Sequence, residues 1–205
     1  QAGVEYVVLD NVQPNPLKAS VEEGAKFAND NNCDFIVALG GGSVMDAAKV
    51  MAINATNPGD LWDYATGRTG KGKPAVNNPL PWIAITTTAG TGSEVDAAGV
   101  ITNPETNEKL GIGDPRAFAV YAIVDPELMT SVPPQFTAYQ GFDALFHSLE
   151  GYISNRNNLF SDMVQEAAIR NIGTYLPIAF KDGNNMEARA RVAFANTMSG
   201  YSMDT

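Results

Sequence analysis

A short apolar run that ends in three consecutive glycines is the feature that most constrains this chain. Residues 35–39 (FIVAL) are apolar at every position, which is typical of a parallel strand buried on both faces. Residues 40–42 are all glycine, and a helical pattern then continues through Asn54. The sequence therefore predicts a strand, a tight connection and a helix, which together form the repeating unit of an α/β fold.

Predicted strands and helices alternate along the first two-thirds of the chain. Residues 4–9 (VEYVVL) form a β-rich run, and residues 20–31 have an amphipathic helical pattern. Ser20 and Glu23 have the spacing of a capping box, so we expect Ser20 to cap this helix. Further strands are predicted at residues 82–86, 99–102, 109–113 and 119–124.

The last third of the chain predicts helices only. These helices are expected at residues 135–153, 158–180 and 185–202. Residues 55–80 are rich in Gly, Asn and Pro, and we interpret them as a surface excursion that carries Trp62 and Tyr64. The fold class is therefore α/β, with a parallel-sheet domain over residues 1–130 followed by part of an all-helical domain over residues 131–205.

Composition excludes several classes of function. The 205 residues include 13 Lys and Arg against 23 Asp and Glu, and the net charge of −10 argues against nucleic-acid binding through a basic face. No apolar run reaches the roughly 18 residues of a transmembrane helix, so no membrane partner is expected. Cys33 is the only cysteine, which excludes an intramolecular disulfide and favours a cytoplasmic, reducing compartment. His147 is the only histidine, so a site of several histidines cannot form within this chain.

The glycine segment at residues 40–42 could bind a diphosphate. Glycines leave the backbone amides unobstructed, and the helix that follows directs its positive end toward the same place. Ser43 could cap that helix, and Asp46 completes a pattern like a capping box. A tight strand–helix connection that binds nothing explains the same residues, and that alternative stays open.

A second candidate ligand segment follows the predicted strand at residues 82–86. Residues 86–94 (TTTAGTGSE) place hydroxyl groups and free amides at the carboxyl end of that strand, where open α/β sheets bind ligands. The threonines could also simply terminate a strand. Lys49 and Lys109 are candidate cationic partners for a ligand here, although lysines are usually solvated.

The only histidine lies in a helical segment that could contribute to a metal site. Asp143 precedes His147 by four residues, so both side chains lie on one face of the helix and could contact one ion. Glu150 continues along the same side. A helical ion pair or a core histidine explains this spacing equally well. Two ligands also fall short of the usual four to six, and the others would come from absent sequence or from solvent.

In their order along the chain, these segments resemble those of the iron-containing (group III) alcohol dehydrogenase family. The resemblance is carried by residues 14–16 (PNP), 33–43 (CDFIVALGGGS), Asp46, 87–94 (TTAGTGSE), 125–126 (DP) and 141–152 (GFDALFHSLEGY). It implies a dinucleotide-binding α/β domain followed by a helical metal-binding domain, a fold similar to that of dehydroquinate synthase.

The resemblance also implies roles for individual residues. NAD or NADP would contact Asn15 on its adenosine side, and its diphosphate would lie at Gly41, Gly42 and Ser43, with Asp46 in the same motif. Thr87, Thr88 and Thr91 would line the pyrophosphate and nicotinamide region, and Lys109 would reach the ribose. Asp143 and His147 resemble the first two ligands of Fe²⁺, for which Zn²⁺ is an alternative. Asp96 stands where many members have threonine, and a carboxylate there could weaken phosphate contact.

The implied function is metal-dependent hydride transfer between a small or primary alcohol or aldehyde and the nicotinamide cofactor, in a homo-oligomer. Two alternatives stay open. The chain could bind a nucleotide without catalysis, or it could be a non-redox relative that acts on a polyol or sugar phosphate. Arg156, the only Lys or Arg within residues 135–165, argues against the latter. The family's first strand and two later histidines have no counterpart here, so we expect a truncated chain that is weakly active and self-associates.

Overall fold

The computed structural model describes residues 3–203. Over these residues the helices and strands follow one another as α1 (Lys18–Asp30), β1 (Ile36–Gly40), α2 (Gly42–Thr56), β2 (Trp82–Thr86), β3 (Ala98–Asn103), β4 (Glu108–Gly113), β5 (Tyr121–Val124), α3 (Pro134–Tyr152), α4 (Leu159–Lys181) and α5 (Met186–Met203). Short 3₁₀ helices lie at Leu61–Asp63 and Pro126–Met129. None of the described helices combines the length and apolarity needed to cross a membrane.

Strands β1, β2 and β5 form a three-stranded sheet in that order. The amide of Ile36 donates to the carbonyl of Pro81 at the start of β1, and the amide of Thr87 donates to the carbonyl of Gly40 at its end. Because the two bonds advance together along both strands, β1 and β2 run parallel. The α/β fold class with a parallel sheet and a helical part is confirmed.

The prediction that β1 is buried on both faces is wrong. This strand lies at the edge of the described sheet, and the side chains of Val37 and Leu39 are 50% and 62% exposed. An apolar run shows that a strand can be buried, but burial needs neighbours on both faces, and the described residues do not supply them.

Residues 4–9 do not form the predicted strand. They are extended but pair with no described strand, and Val4, Tyr6 and Val8 are exposed. A β-rich run becomes a strand only when a partner satisfies its backbone hydrogen bonds.

Two compact units make up the chain, and each is discontinuous in sequence. The first contains the residues up to Ala38, Ser43–Ile83 and Ala97–Val120; the second contains Leu39–Gly42, Ala84–Asp96 and the residues from Tyr121 onward. The domain boundary between residues 130 and 131 stays a prediction, because a compact unit need not coincide with a domain that is continuous in sequence.

The core of the first unit combines α1, α2 and the β3–β4 hairpin. Antiparallel pairing sets Ile101 opposite Leu110, and the buried side chains come from all these elements. They include Val21, Val50, Ile53, Leu61, Trp62, Ile101 and Ile112. The interpretation of residues 55–80 as a surface excursion is therefore wrong at Trp62, which is only 6% exposed and lies in this core.

Helix α1 begins earlier than its predicted cap. It starts at Lys18 with Leu17 as its N-cap residue, and no side chain caps it, so the capping role expected of Ser20 is wrong. The backbone before the helix is fixed instead by the β3 residue Thr102, whose amide donates to the carbonyl of Pro16. This anchor sets where the helix starts.

The second unit is built around helices α3, α4 and α5. Their predicted positions are confirmed to within two residues at each end. Small buried side chains let the helices approach closely, and Ala144, Ala168, Ile172, Ala188, Val192 and Ala195 form most of the core. Gly141 illustrates the fit, because a Cβ built there would lie 2.3 Å from a methyl carbon of Leu176.

A buried asparagine anchors the long connection between α2 and β2. Asn57 is 2% exposed, and its Oδ1 accepts hydrogen bonds at 2.8 Å from the amides of both Val76 and Asn77. Its Nδ2 donates to the carbonyl of Ile53 at 2.9 Å. One side chain therefore joins the end of α2 to a segment twenty residues later.

We predict that Asn57→Ala lowers the free energy of unfolding by about 1 to 3 kcal/mol, because the buried Asn57 side chain and its hydrogen bonds to Ile53, Val76 and Asn77 are lost. Asn57→Asp should also destabilise the chain, because its carboxylate can accept from the amides of Val76 and Asn77 but sets a buried oxygen against the carbonyl of Ile53. Urea denaturation followed by circular dichroism measures both changes. Asn184→Ala, at an exposed asparagine, is the matched control; an equal loss in that variant would contradict the anchoring role.

Candidate functional site

The glycine segment, residues 40–42, and the threonine segment, residues 87–94, pack against each other in the second unit. A Cβ built on Gly41 would lie 3.1 Å from Thr88 Cγ2, and one built on Gly42 would lie only 2.5 Å from Thr91 Cγ2 and 2.7 Å from Thr91 Oγ1. The two threonine side chains thus occupy the space that larger residues at positions 41 and 42 would require. The structure brings these four predicted site residues together.

Helix α2 begins at Gly42, directly after the end of β1. Its first amides have no partner within the helix and carry the positive end of the helix dipole. Gly41 and Gly42 add no side chain of their own over these amides, and the space beside their Cα atoms is filled by Thr88 and Thr91. Backbone amides in this arrangement suit an anionic group such as a diphosphate.

Ser43 and Asp46 do not have the capping roles predicted for them. Helix α2 starts one residue before Ser43, so Ser43 lies in the first turn, and its Oγ accepts a hydrogen bond from the amide of Asn15 at 3.2 Å. Asp46 Oδ2 accepts from the amide of Val100 at 3.1 Å and so joins α2 to β3.

Three residues that are distant in sequence form one hydrogen-bonded group in the first unit. Lys109 Nζ donates to Asn15 Oδ1 at 2.7 Å, and Asn15 in turn bonds to Ser43. Asn15 has a φ of +55°, a left-handed conformation that asparagine tolerates better than most residues. Asn15 thus contacts both Lys109 and Ser43, so the structure brings together the three residues that the resemblance assigns to the cofactor in this unit.

Asp143 and His147 lie on one face of α3, as their spacing predicts. His147 Nε2 is 3.8 Å from Asp143 Oδ1, too far for a hydrogen bond. Burial raises the pKa of Asp143, and the nearby imidazole of His147 opposes that rise. Glu150 on the same helix is exposed. Within residues 3–203, no group of three or more His, Cys, Asp and Glu side chains could hold a metal ion, so the two residues form a donor pair and not a complete site.

Helix α3 also contacts the threonine segment. This contact was not predicted from the sequence. Gln140 Oε1 accepts from the amide of Ala89 at 3.4 Å, and a Cβ built on Gly90 would lie 2.9 Å from Gln140 Cα. Gln140 precedes Asp143 by less than one turn. No pattern in the sequence marks Gln140, because an isolated glutamine on a helix carries no periodic or motif signal.

Helix α5 provides a second contact that the sequence did not reveal. Asn196 is fully buried and hydrogen-bonds to both Gly92 and Glu94 in the threonine segment. Glu94 is itself 1% exposed. Because burial is not visible in a sequence, no pattern marked Asn196 as the partner of this carboxylate.

Comparisons with known proteins show which family this chain resembles. Residues 1–126 match the family model described as iron-containing alcohol dehydrogenase, and residues 137–205 match that of the Fe-containing alcohol dehydrogenase family, C-terminal. The choline dehydrogenase of Bacillus subtilis (strain 168) is 42% identical over 202 residues, which are 98% of this chain and 50% of the relative. The 1,3-propanediol dehydrogenase of Citrobacter freundii is 40% identical over 205 residues, which are 100% of this chain and 51% of the relative.

Solved structures show the same likeness. The structure of sulfoacetaldehyde reductase from Bifidobacterium kashiwanohense in complex with NAD⁺ superposes with a TM-score of 0.88 at 38% identity, over 94% of this chain and 50% of that one. A 1,3-propanediol oxidoreductase structure gives a TM-score of 0.92 at 39% identity, over 99% and 52% of the two chains. The chain spans about half the length of the curated relatives it matches. On the evidence of both family matches, which together cover most of its residues, the chain belongs to the iron-containing alcohol dehydrogenase family.

Proposed function

We propose that this chain holds the nucleotide and contributes metal ligands in a dehydrogenase that transfers hydride between a small alcohol or aldehyde and a nicotinamide cofactor. The observation that carries the proposal is the packing of Thr88 and Thr91 on Gly41 and Gly42 at the start of α2. This arrangement combines free amides, hydroxyl groups and a helix N-terminus in one place.

The donor set fits the diphosphate of NAD or NADP. Amides at the start of α2 can donate to phosphate oxygens, while the hydroxyl groups of Thr88 and Thr91 line the adjoining segment. A related protein of the same fold, sulfoacetaldehyde reductase, has been solved in complex with NAD⁺. We assign the diphosphate to residues 41–43 and the adjoining part of the cofactor to Thr87, Thr88 and Thr91.

The group formed by Asn15, Ser43 and Lys109 suits the ribose and adenosine side of the cofactor. Lys109 is a cation in a chain of net charge −10, and its hydrogen bond to Asn15 fixes where that charge lies. Asp46 acts indirectly, because its side chain bonds to Val100.

Asp143 and His147 fit two positions in the ligand shell of Fe²⁺ or Zn²⁺. A carboxylate oxygen and an imidazole nitrogen suit either ion. Since His147 Nδ1 is buried and Nε2 faces Asp143, Nε2 is the nitrogen available to an ion shared by the pair. When bound, such an ion supplies Lewis-acid polarisation of the alcohol or aldehyde oxygen.

The chain's own residues orient the reactants. The amides at the start of α2 and the hydroxyl groups of Thr88 and Thr91 would hold the cofactor by its phosphates, which would fix the position of the nicotinamide. Gln140 ties the threonine segment to α3, the helix that carries the donor pair. The described residues contain two ligands and no complete metal shell, so we expect the chain by itself to turn over weakly.

The substrate class follows from the family and not from the described residues. Relatives include a 1,3-propanediol dehydrogenase, a choline dehydrogenase and an NAD-dependent methanol dehydrogenase. We therefore propose a small alcohol or aldehyde as substrate, in a cytoplasmic homo-oligomer. A non-redox relative acting on a sugar phosphate is disfavoured by the scarcity of basic residues near the donor pair, where Arg156 is the nearest in sequence.

Nucleotide binding is tested by Gly42→Val. The valine methyl groups would displace Thr91 and cover the first amides of α2, so we predict that the affinity for NADH falls at least about tenfold. Titration of NADH fluorescence with the 205-residue chain measures the affinity. Gly173→Val is the matched control, because a Cβ there meets nothing within 4 Å and should leave binding unchanged. Equal affinity in Gly42→Val and the unaltered chain would disprove the assignment of Gly42.

Metal binding is tested by calorimetric titration with Zn²⁺. A pair of protein ligands should bind the ion far more weakly than a closed shell of four, and the binding should be lost in His147→Ala and reduced in Asp143→Asn. Asp34→Asn makes the same chemical change at an exposed aspartate and should have no effect. Undiminished binding in His147→Ala would place the metal elsewhere.

A further inference from the structure

We propose that Asn196 on α5 is a positioning residue that fixes the threonine segment, residues 87–94, for nucleotide binding. The inference rests on the proposed function of that segment. It assigns a role to α5, a helix that contains none of the site residues predicted from the sequence.

The side-chain amide of Asn196 forms hydrogen bonds to this segment through both its oxygen and its nitrogen. Its Oδ1 accepts from the amide of Gly92 at 2.9 Å, and its Nδ2 donates to Glu94 Oε1 at 3.0 Å. Asn196 is 0% exposed. A buried amide with donor and acceptor both satisfied holds its partners in one arrangement, because any displacement leaves a polar group unpaired.

The buried carboxylate of Glu94 restricts where the threonine segment can lie against α5. The carboxylate is 1% exposed, and it also accepts a hydrogen bond from Thr197 Oγ1 at 2.8 Å. Two consecutive residues of α5 therefore donate to one buried acceptor. Burying a carboxylate is costly unless it accepts hydrogen bonds, so the segment is held at the place where α5 supplies them.

Two glycines bring the backbones of the segment and the helix into direct contact. A Cβ built on Gly92 would lie 2.5 Å from Gly200 Cα, and one built on Gly200 would lie 2.3 Å from the Gly92 carbonyl oxygen. Gly92 also has a φ of +66°, which L residues rarely adopt. The approach is as close as main chains allow, so α5 sets the position of Gly92 with little freedom.

The position of Gly92 also determines how the threonine segment packs on the glycine segment. Thr91 directly precedes Gly92, and its side chain packs on Gly42, where α2 begins. Helix α5 is held in turn by Val192 and Ala195 in the core of the second unit. The contacts run continuously from Asn196 through Gly92 and Thr91 to Gly42. We therefore assign Asn196 to the positioning of the nucleotide-binding residues and not to contact with the nucleotide.

Exchanging the amide and the carboxylate tests the role. Asn196→Asp sets two carboxylates against each other, and we expect the affinity for NADH to fall at least about tenfold. Combining Asn196→Asp with Glu94→Gln restores one donor facing one acceptor, and an aspartate oxygen can still accept from the amide of Gly92. We expect this double variant to recover affinity to within about threefold of the unaltered chain.

Controls separate positioning from general stability. Glu94→Gln alone measures the cost of losing the charge, and Asn184→Asp makes the same change as Asn196→Asp at an exposed position, where NADH affinity should not change. Thermal unfolding of every variant is recorded alongside binding. Unchanged affinity in Asn196→Asp, or a double variant that binds no better than Asn196→Asp alone, would overturn the proposal.

Hydrogen exchange without nucleotide distinguishes this inference from the proposed function. In Asn196→Ala the amide of Gly92 loses its acceptor and should exchange faster, while core amides of α4 such as Ile172 should keep their protection. If the unaltered chain does not bind NADH, the proposed function fails for this chain, and faster exchange at Gly92 alone would still support positioning by Asn196. Unchanged exchange at Gly92 would refute it.

Discussion

The close packing of Thr91 on Gly42 is the contact on which the candidate nucleotide site depends. It is possible only because position 42 has no side chain. Two glycines of the threonine segment allow similarly close contacts. Gly90 lies against the backbone of Gln140 on α3, and Gly92 lies against Gly200 on α5. The glycines of the two segments thus serve close approach more than flexibility. A segment in main-chain contact with its supports cannot shift far without a clash, which suits residues that must present amides and hydroxyl groups at fixed positions.

Sequence patterns predicted the elements whose signal is local. The bounds of β2 match the predicted residues 82–86, and α3, α4 and α5 lie within two residues of their predicted positions, because a strong apolar pattern fixes an element whatever its neighbours. The errors arise where structure depends on a partner. Residues 4–9 have a strand composition without a described strand to pair with, and Val37 is apolar yet half exposed at a sheet edge. Side-chain chemistry indicates what a residue tolerates but not which neighbour it will have.

The candidate site likewise contains residues that the sequence predicted and supporting residues that it did not. Glycines and threonines behind strands could be selected by their chemistry, and the spacing of Asp143 and His147 was enough to place both on one helix face. The support from Asn196 could not be predicted, because that residue lies more than one hundred positions from Gly92 and belongs to no motif. The bond between Lys109 and Asn15 likewise depends on tertiary packing. Residues that touch a ligand follow chemical rules visible in the sequence, whereas residues that hold them in place follow packing.

Helix α3 carries the residues proposed to bind a metal and also contacts the segment proposed to bind the nucleotide. Gln140 contacts the threonine segment, and Asp143 and His147 follow on the same helix, roughly 5 and 10 Å further along its axis at 1.5 Å per residue. A continuous helix is stiff over such a short length, and the backbone of Gln140 lies directly against the segment at Gly90. In the proposed function, the nicotinamide would have to lie at a fixed distance from Asp143 and His147, the two residues that would hold the metal. Because α3 carries both residues and contacts the threonine segment through Gln140, two turns of this helix would fix that distance.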